Sequence, residues 1–224
     1  MRDRPHLTLV AVVALGLVVL LVVGLTDRRD EAFTLGVRPG GVAAELRSGD
    51  RACQERIDVP EDFSSVELQL GTYRRPGSPL ELTVQDATAA GAELGRGSLH
   101  AGYPDVSRAQ IGVGEIDAGR QIAVCVENRG TRKVAIYGNA GIAAPFSTLR
   151  VRRRTVDADL TLVFHRSGER SLVAELPDAF AHAELFKAPW VGAWTFWLLG
   201  LGVVALVPLV LVLAVRALRR DLGA

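Results

Sequence analysis

The chain has 224 residues, with 26 Lys and Arg against 25 Asp and Glu, 49% hydrophobic residues and two cysteines. Over the central segment, 26–189, the net charge is near −2 and leaves no electrostatic footprint for nucleic acid. Two cysteines cannot close a structural zinc site without histidine, and no His lies at ligand spacing from either.

Residues 1–6 form a short tail that holds Arg2 and Arg4. The next stretch, "LTLVAVVALGLVVLLVVGL" at 7–25, carries no charge. As a helix it would be about 28 Å long, close to the hydrocarbon thickness of a bilayer. It is longer than the apolar core of a signal peptide, and its best cleavage pair, Gly24 and Thr26, is poor. A signal anchor is therefore expected, with a cleaved signal peptide as the alternative. A second uncharged run, 191–215, predicts another transmembrane helix within 190–215, followed by a basic tail at 216–224 with Arg216, Arg219 and Arg220. Opposing basic residues (Arg28, Arg29, Arg38 and Lys187) are more scattered, and Trp190, Trp194 and Trp197 mark an interfacial belt. Both termini are thus expected in the cytoplasm and residues 26–189 outside. Neither run holds an ionisable side chain, so both read as anchors rather than as a transport path.

The segment 26–189 has 21 basic and 23 acidic residues. Its apolar residues recur with period two: Val66, Leu68 and Leu70; Leu80, Leu82 and Val84; Ile122, Val124 and Val126; Val134 and Ile136; Leu149 and Val151; Leu160, Leu162 and Phe164; Leu172, Ala174 and Leu176. Turn-rich stretches such as "RPGSP", "ENRGTRK" and "HRSGER" separate these runs. The pattern predicts an all-β antiparallel sandwich flanked by the two transmembrane helices, with a hairpin at "GTYRRPGS" and a short juxtamembrane helix over 177–189. Cys53 and Cys125 are expected to form a disulfide outside the cytoplasm, two free thiols being the alternative. Cys125 alternates against Ile122, Val124 and Val126, which places the bridge on the outer face of two strands rather than in the core.

The stretches "CQERIDVPEDFSSVELQLGTYRRPGSPLELTVQD" and "GEIDAGRQIAVCVENRG", within about 50–140, resemble the galactose-binding-like jelly-roll domains on the outer side of bacterial envelope polysaccharide-assembly membrane proteins. The resemblance implies a jelly-roll-like fold, a bacterial plasma membrane setting and a neighbouring membrane glycosyltransferase or assembly protein. It implies no activity, because those relatives are often fused to multi-span enzymes and this chain has two apolar runs.

Candidate ligand-binding residues follow from their types. Tyr73, with Arg74 and Arg75, lies in a turn and offers a stacking ring with hydrogen-bond donors, and Tyr103 lies in the loop "HAGYPD". Arg129 belongs to the polar turn "ENRGTRK". In an extended "LRVRRRT", Arg150, Arg152 and Arg154 would share one face at intervals of about 7 Å, a ladder suited to phosphates or uronates. The motifs of serine hydrolases, zinc peptidases and phosphate-binding loops are missing, and the four histidines are isolated in sequence, so no catalytic residue, metal or cofactor is assigned. The expected function is a non-catalytic module that binds or organises envelope polysaccharide beside a glycan-assembly enzyme. A protein–protein interaction module of a membrane complex, without carbohydrate binding, is the alternative.

Overall fold

The computed structural model describes residues 5–88, 91–140, 148–184 and 192–222. It divides the chain into two compact units, Asp30–Glu169 and the flanking segments Met1–Arg29 with Arg170–Ala224.

The first unit is a sandwich of two antiparallel sheets. Among the described residues, one sheet holds β1 (Arg28–Thr34), β2 (Gly41–Leu46), β4 (Phe63–Gly71), β7 (Ser107–Ile116), β9 (Val134–Ala140), β12 (Ala158–Leu160) and β13 (Leu162–Ser171). The other runs in the order β11 (Arg154–Thr155), β10 (Leu149–Val151), β3 (Arg51–Asp58), β8 (Gln121–Asn128), β5 (Leu80–Asp86) and β6 (Glu93–Leu99). The alternation visible in sequence supplies the core. Leu68, Leu70, Leu82, Val84, Ile122, Val124, Val126, Ile136, Leu160 and Leu162 are all fully buried between the sheets. Each such side chain contributes about 1.5–3 kcal/mol, offset by chain entropy.

One end of the core is aromatic. Phe33 stacks on Phe164 at 4.2 Å between ring centroids, and Phe63 meets Phe164 edge-on at 4.9 Å. Two buried amides tie the sheets together. Gln54 of β3 donates to Thr148 Oγ1 (2.7 Å) and Asp159 Oδ1 (2.8 Å) and accepts the Leu160 N–H (2.9 Å). Asn128 at the end of β8 donates to the carbonyls of Leu46 and Arg132. Where β6 and β7 close one corner of the sandwich, Gly97 has no room for a side chain, because a Cβ would lie 2.1 Å from the Gly112 carbonyl oxygen.

Two expectations are corrected here. The stretch "GTYRRPGS" is not a hairpin: β4 and β5 lie in different sheets, so residues 72–79 cross from one sheet to the other. Pro76 and Pro79 lack the N–H groups a ladder needs, and Gly77 pairs with the 100–106 loop through its N–H to Tyr103 O (2.9 Å) and its O from Gly102 N–H (3.0 Å). Leu172, Ala174 and Leu176 are not a strand. They open α2 (Leu172–Glu184), five residues before the expected start at 177, with Ser171 Oγ accepting the Ala174 N–H as an N-cap and Pro177 inside the helix.

The flanking unit also contains α1 (Pro5–Thr26) and α3 (Ala193–Leu222). Within α3, Ala193–Ala214 is long and apolar enough to cross a membrane, and Ala11–Thr26 is a shorter apolar helix. Phe180 of α2 stacks on Phe196 and meets Trp197 edge-on at 5.0 Å. Arg2, Arg4, Lys187 and Trp190, on which the topology expectation partly rests, lie outside the described residues.

Candidate functional site

Register places one row of side chains across the outer face of the six-stranded sheet. Arg150 of β10 is opposite Cys53 of β3, Cys53 opposite Cys125 of β8, Cys125 opposite Thr83 of β5, and Thr83 opposite Arg96 of β6. Four strand spacings separate the two arginines along this row, about 19 Å between their backbones. A second row sets Arg51 against Glu127 and Glu127 against Glu81. The Cys53–Cys125 disulfide joins directly opposed residues of β3 and β8, with a Cα–Cα distance of 4.0 Å. It lies on the outer face of the sheet.

Over this face lies a depression of about 900 Å³, lined by Asp50, Arg51, Glu55, Gln85, Glu127, Arg150, Arg152 and Arg153, with Cys53 at its floor. Carboxylates hold Arg150 and Arg152, and Arg129 beside them. Arg150 reaches Glu55 at 3.1 Å, Arg152 Nε donates to Asp50 Oδ1 at 2.7 Å, and Arg129 bridges Glu127 (2.6 Å) and Glu81 (3.2 Å). Arg51 donates to Thr83 Oγ1 at 3.2 Å. The Arg152 guanidinium holds the Asp50 carboxyl below the usual carboxylate range against a smaller opposing effect of burial, and Arg129 does the same for Glu81. Both are therefore acceptors at neutral pH. Exposed pairs of this kind are individually worth only about 0–1 kcal/mol, so they orient the side chains while adding little to stability. The face presents donors and acceptors in alternation, and among the described residues no aromatic ring lines the depression.

The structure redistributes the candidates read from sequence. Arg150 and Arg152 line the depression, and Arg129 lies beside it. The three-arginine ladder does not exist. Arg152 and Arg153 take left-handed backbone angles (φ 50° and 67°) and turn the chain, so that Val151 pairs with Arg154 in a tight hairpin. Arg153, rather than Arg154, lines the depression.

Tyr103 lies in the 100–106 loop, as expected, but its ring turns inward. It packs against the core and on Gly77, whose Cβ would lie 2.3 Å from its ring, and burial pushes its phenol up to about 12. Tyr73 is about half exposed but engaged: its hydroxyl donates to Glu45, and Lys133 Nζ sits 4.9 Å over its ring. Burial and Glu45 together raise its phenol strongly. Tyr73 and Arg74 both have left-handed backbone (φ 56° and 61°) inside a turn closed by the Arg75 N–H to Thr72 O. The Asp105 carboxylate accepts the Thr72 and Arg74 N–H groups, at 2.5 and 2.8 Å, and fixes that turn.

Those backbone N–H groups lower the Asp105 pKa below its ordinary value. A lowered folded-state pKa means that the stabilisation is complete above the unfolded value near 3.8 and is lost as pH falls through the folded value. Asp105→Asn is accordingly expected to lower the melting temperature at pH 7 and to reduce its fall between about pH 4 and 2, measured by thermal melts across that range. A full wild-type acid dependence in the variant would contradict it.

His165, isolated in sequence, lies between two carboxylates on the seven-stranded sheet. Its Nδ1 is 3.2 Å from Asp30 and its Nε2 3.7 Å from Glu67, at ion-pair distance without hydrogen-bond geometry. The signal was absent from sequence because Asp30, Glu67 and His165 come from three strands. Among the described residues no cluster of three His, Cys, Asp or Glu is arranged to hold a metal ion.

No family model matches the sequence, and no curated protein matches it. Solved structures similar to the chain include CsCBM6-3 from Clostridium stercorarium in complex with cellobiose, with 16% identity, 62% of this chain and 89% of that chain covered, and a TM-score of 0.33. A β-1,3-glucan-binding CBM6 from Bacillus halodurans has 16% identity, covers 50% of this chain and 91% of its own, and gives a TM-score of 0.30. A carbohydrate-binding module from the lichenase 5A of Cellvibrio mixtus, in complex with cellotriose, has 12% identity, coverage of 57% and 96%, and a TM-score of 0.29. With TM-scores of 0.33 or less, the likeness is weak.

Proposed function

We propose that the chain is a membrane-anchored, non-catalytic β-sandwich that binds envelope polysaccharide on the outer face of its six-stranded sheet. The observation that carries this reading is the depression of about 900 Å³, whose walls alternate guanidinium donors with carboxylate and amide acceptors. A polyhydroxylated ligand satisfies both kinds of group, whereas a small apolar ligand satisfies neither. In this reading the apolar helices anchor the sandwich in the bacterial plasma membrane, both termini lie in the cytoplasm, and the sandwich serves a glycosyltransferase or assembly protein in the same membrane.

The test is a glycan array probed with the full chain in neutral detergent. Binding to one or more polysaccharide classes is expected, and Arg150→Ala should weaken it about tenfold, the loss of one charged hydrogen bond. Co-purification of a membrane enzyme with no glycan retained would favour the interaction-module alternative instead. Arg150→Ala binding as tightly as the wild type would remove the depression from the reading.

A further inference from the structure

The sandwich is electrically polar along its length. At one end lie the 47–50, 72–79, 100–106 and 129–133 loops and the β10–β11 hairpin. They are joined by the Gly49 N–H to Asn128 O, the Arg129 N–H to Pro79 O, Arg132 Nη1 to Pro76 O (3.2 Å) and Arg152 to Asp50. Five arginines on these segments, Arg47, Arg74, Arg75, Arg132 and Arg153, are exposed and form no side-chain ion pair among the described residues, although Arg47 lies near enough to Glu45 and Asp50 to lower their pKa values and Asp105 accepts the Arg74 backbone N–H. The opposite end, where the chain enters near Asp30 and leaves near Glu169, carries Asp58, Glu61, Asp62, Glu115 and Asp117. Arg120 and Arg166 offset part of that charge by reaching Asp117 and Glu61.

We infer that the basic end takes a polyanionic stretch of glycan, so that the polysaccharide of the proposed function is an acidic one. This rests on that reading, because Arg153 belongs both to the basic end and to the wall of the depression. Unpaired guanidinium groups repel one another, and an anionic polymer relieves that repulsion while releasing its own counterions. Their spread over several loops suits charges repeated along an extended chain and exceeds what one small ion can contact. Arg74 and Arg153 are also held outward by turns with left-handed backbone at non-glycine residues, an outlier of the kind found at ligand-binding tips.

The experiment uses the full chain in phosphatidylcholine nanodiscs with three probes: polygalacturonate, the neutral glucan laminarin, and phosphatidylglycerol vesicles. Two double variants are compared with wild type, Arg74→Asn with Arg75→Ser and Arg47→Ser with Arg153→Asn. Asparagine is chosen at 74 and 153 because it tolerates the left-handed region. Wild type should bind polygalacturonate, with affinity falling about tenfold or more from low to moderately high salt, and each double variant should lose about tenfold at low salt with its melting temperature unchanged. Unchanged affinity in both variants overturns the inference, as does a preference for the vesicles over polygalacturonate. Binding of laminarin without polygalacturonate overturns the inference and leaves the proposed function standing. Binding of neither polymer overturns the inference, and together with an empty glycan array it overturns the proposed function as well.

Discussion

Replacing Cys53 and Cys125 together by alanine is expected to lower the melting temperature of the sandwich by roughly 10–15 °C. The bridge closes a loop with a sequence separation of 72 residues. In the chain-entropy model that constraint is worth about 4 kcal/mol, felt mainly as a restriction of the unfolded chain. The bridged residues are already opposed in β3 and β8, so removing the bond leaves a register that the ladder itself maintains. The double variant should therefore fold and keep its far-ultraviolet spectrum while melting earlier. Melting within about 2 °C of the wild type would mean that the bridge adds little to the constraint supplied by the sheet.

Phe164→Ala is expected to cost about 3–5 kcal/mol, the usual range for deleting a buried aromatic ring. Phe164 is fully buried, and its ring touches both Phe33 and Phe63. Phe33 is on β1 and Phe63 opens β4, the two strands that flank β13 in the seven-stranded sheet, so this one ring joins both neighbours of its own strand. Its loss leaves a cavity whose walls are two other rings, and rigid rings collapse poorly into such space. Urea denaturation of the full chain in detergent measures the effect as a lower midpoint. Phe164→Leu, which keeps most of the volume, should cost markedly less. Equal stability of Phe164→Ala and the wild type would show that the aromatic cluster is not part of the cooperative core.

The strands that sequence made legible are those whose alternation is uninterrupted. Val66, Leu68 and Leu70 in β4 and Ile122, Val124 and Val126 in β8 have period two and face the core as expected. The placement of the disulfide was legible for the same reason, because Cys125 falls out of phase with that buried set. What sequence did not show is which strand pairs with which. "GTYRRPGS" has the composition of a turn, but composition does not distinguish a hairpin from a crossing between sheets; that depends on β7 and β13 occupying both edges of β4. The arginine ladder failed for a different reason. Left-handed backbone at Arg152 and Arg153 has no local signature when neither residue is glycine, asparagine or aspartate.

The candidate face was the least legible of all. Its central row draws Arg150, Cys53, Cys125, Thr83 and Arg96 from five strands, and no two of them are near neighbours in sequence. The same holds for the charge polarity of the sandwich. A segment with 21 basic and 23 acidic residues looks balanced until folding collects unpaired arginines at one end. Individual residues such as Arg150 and Arg152 were identifiable by type, while their neighbours Glu55 and Asp50, which hold them in position, were not.

The proposed binding face is tested most directly by hydroxyl-radical footprinting of the full chain with and without a polysaccharide that the array retains. The Cys53 sulfur at the floor of the depression and the surrounding side chains supply reactive positions on that face. The expected result is protection concentrated in the peptides that carry Arg51, Cys53, Arg150 and Arg152, with the outer face of the seven-stranded sheet around Arg108 and Gln110 unaffected. Protection of that opposite face, with the Cys53 and Arg150 peptides unchanged, would contradict a binding site on the six-stranded sheet.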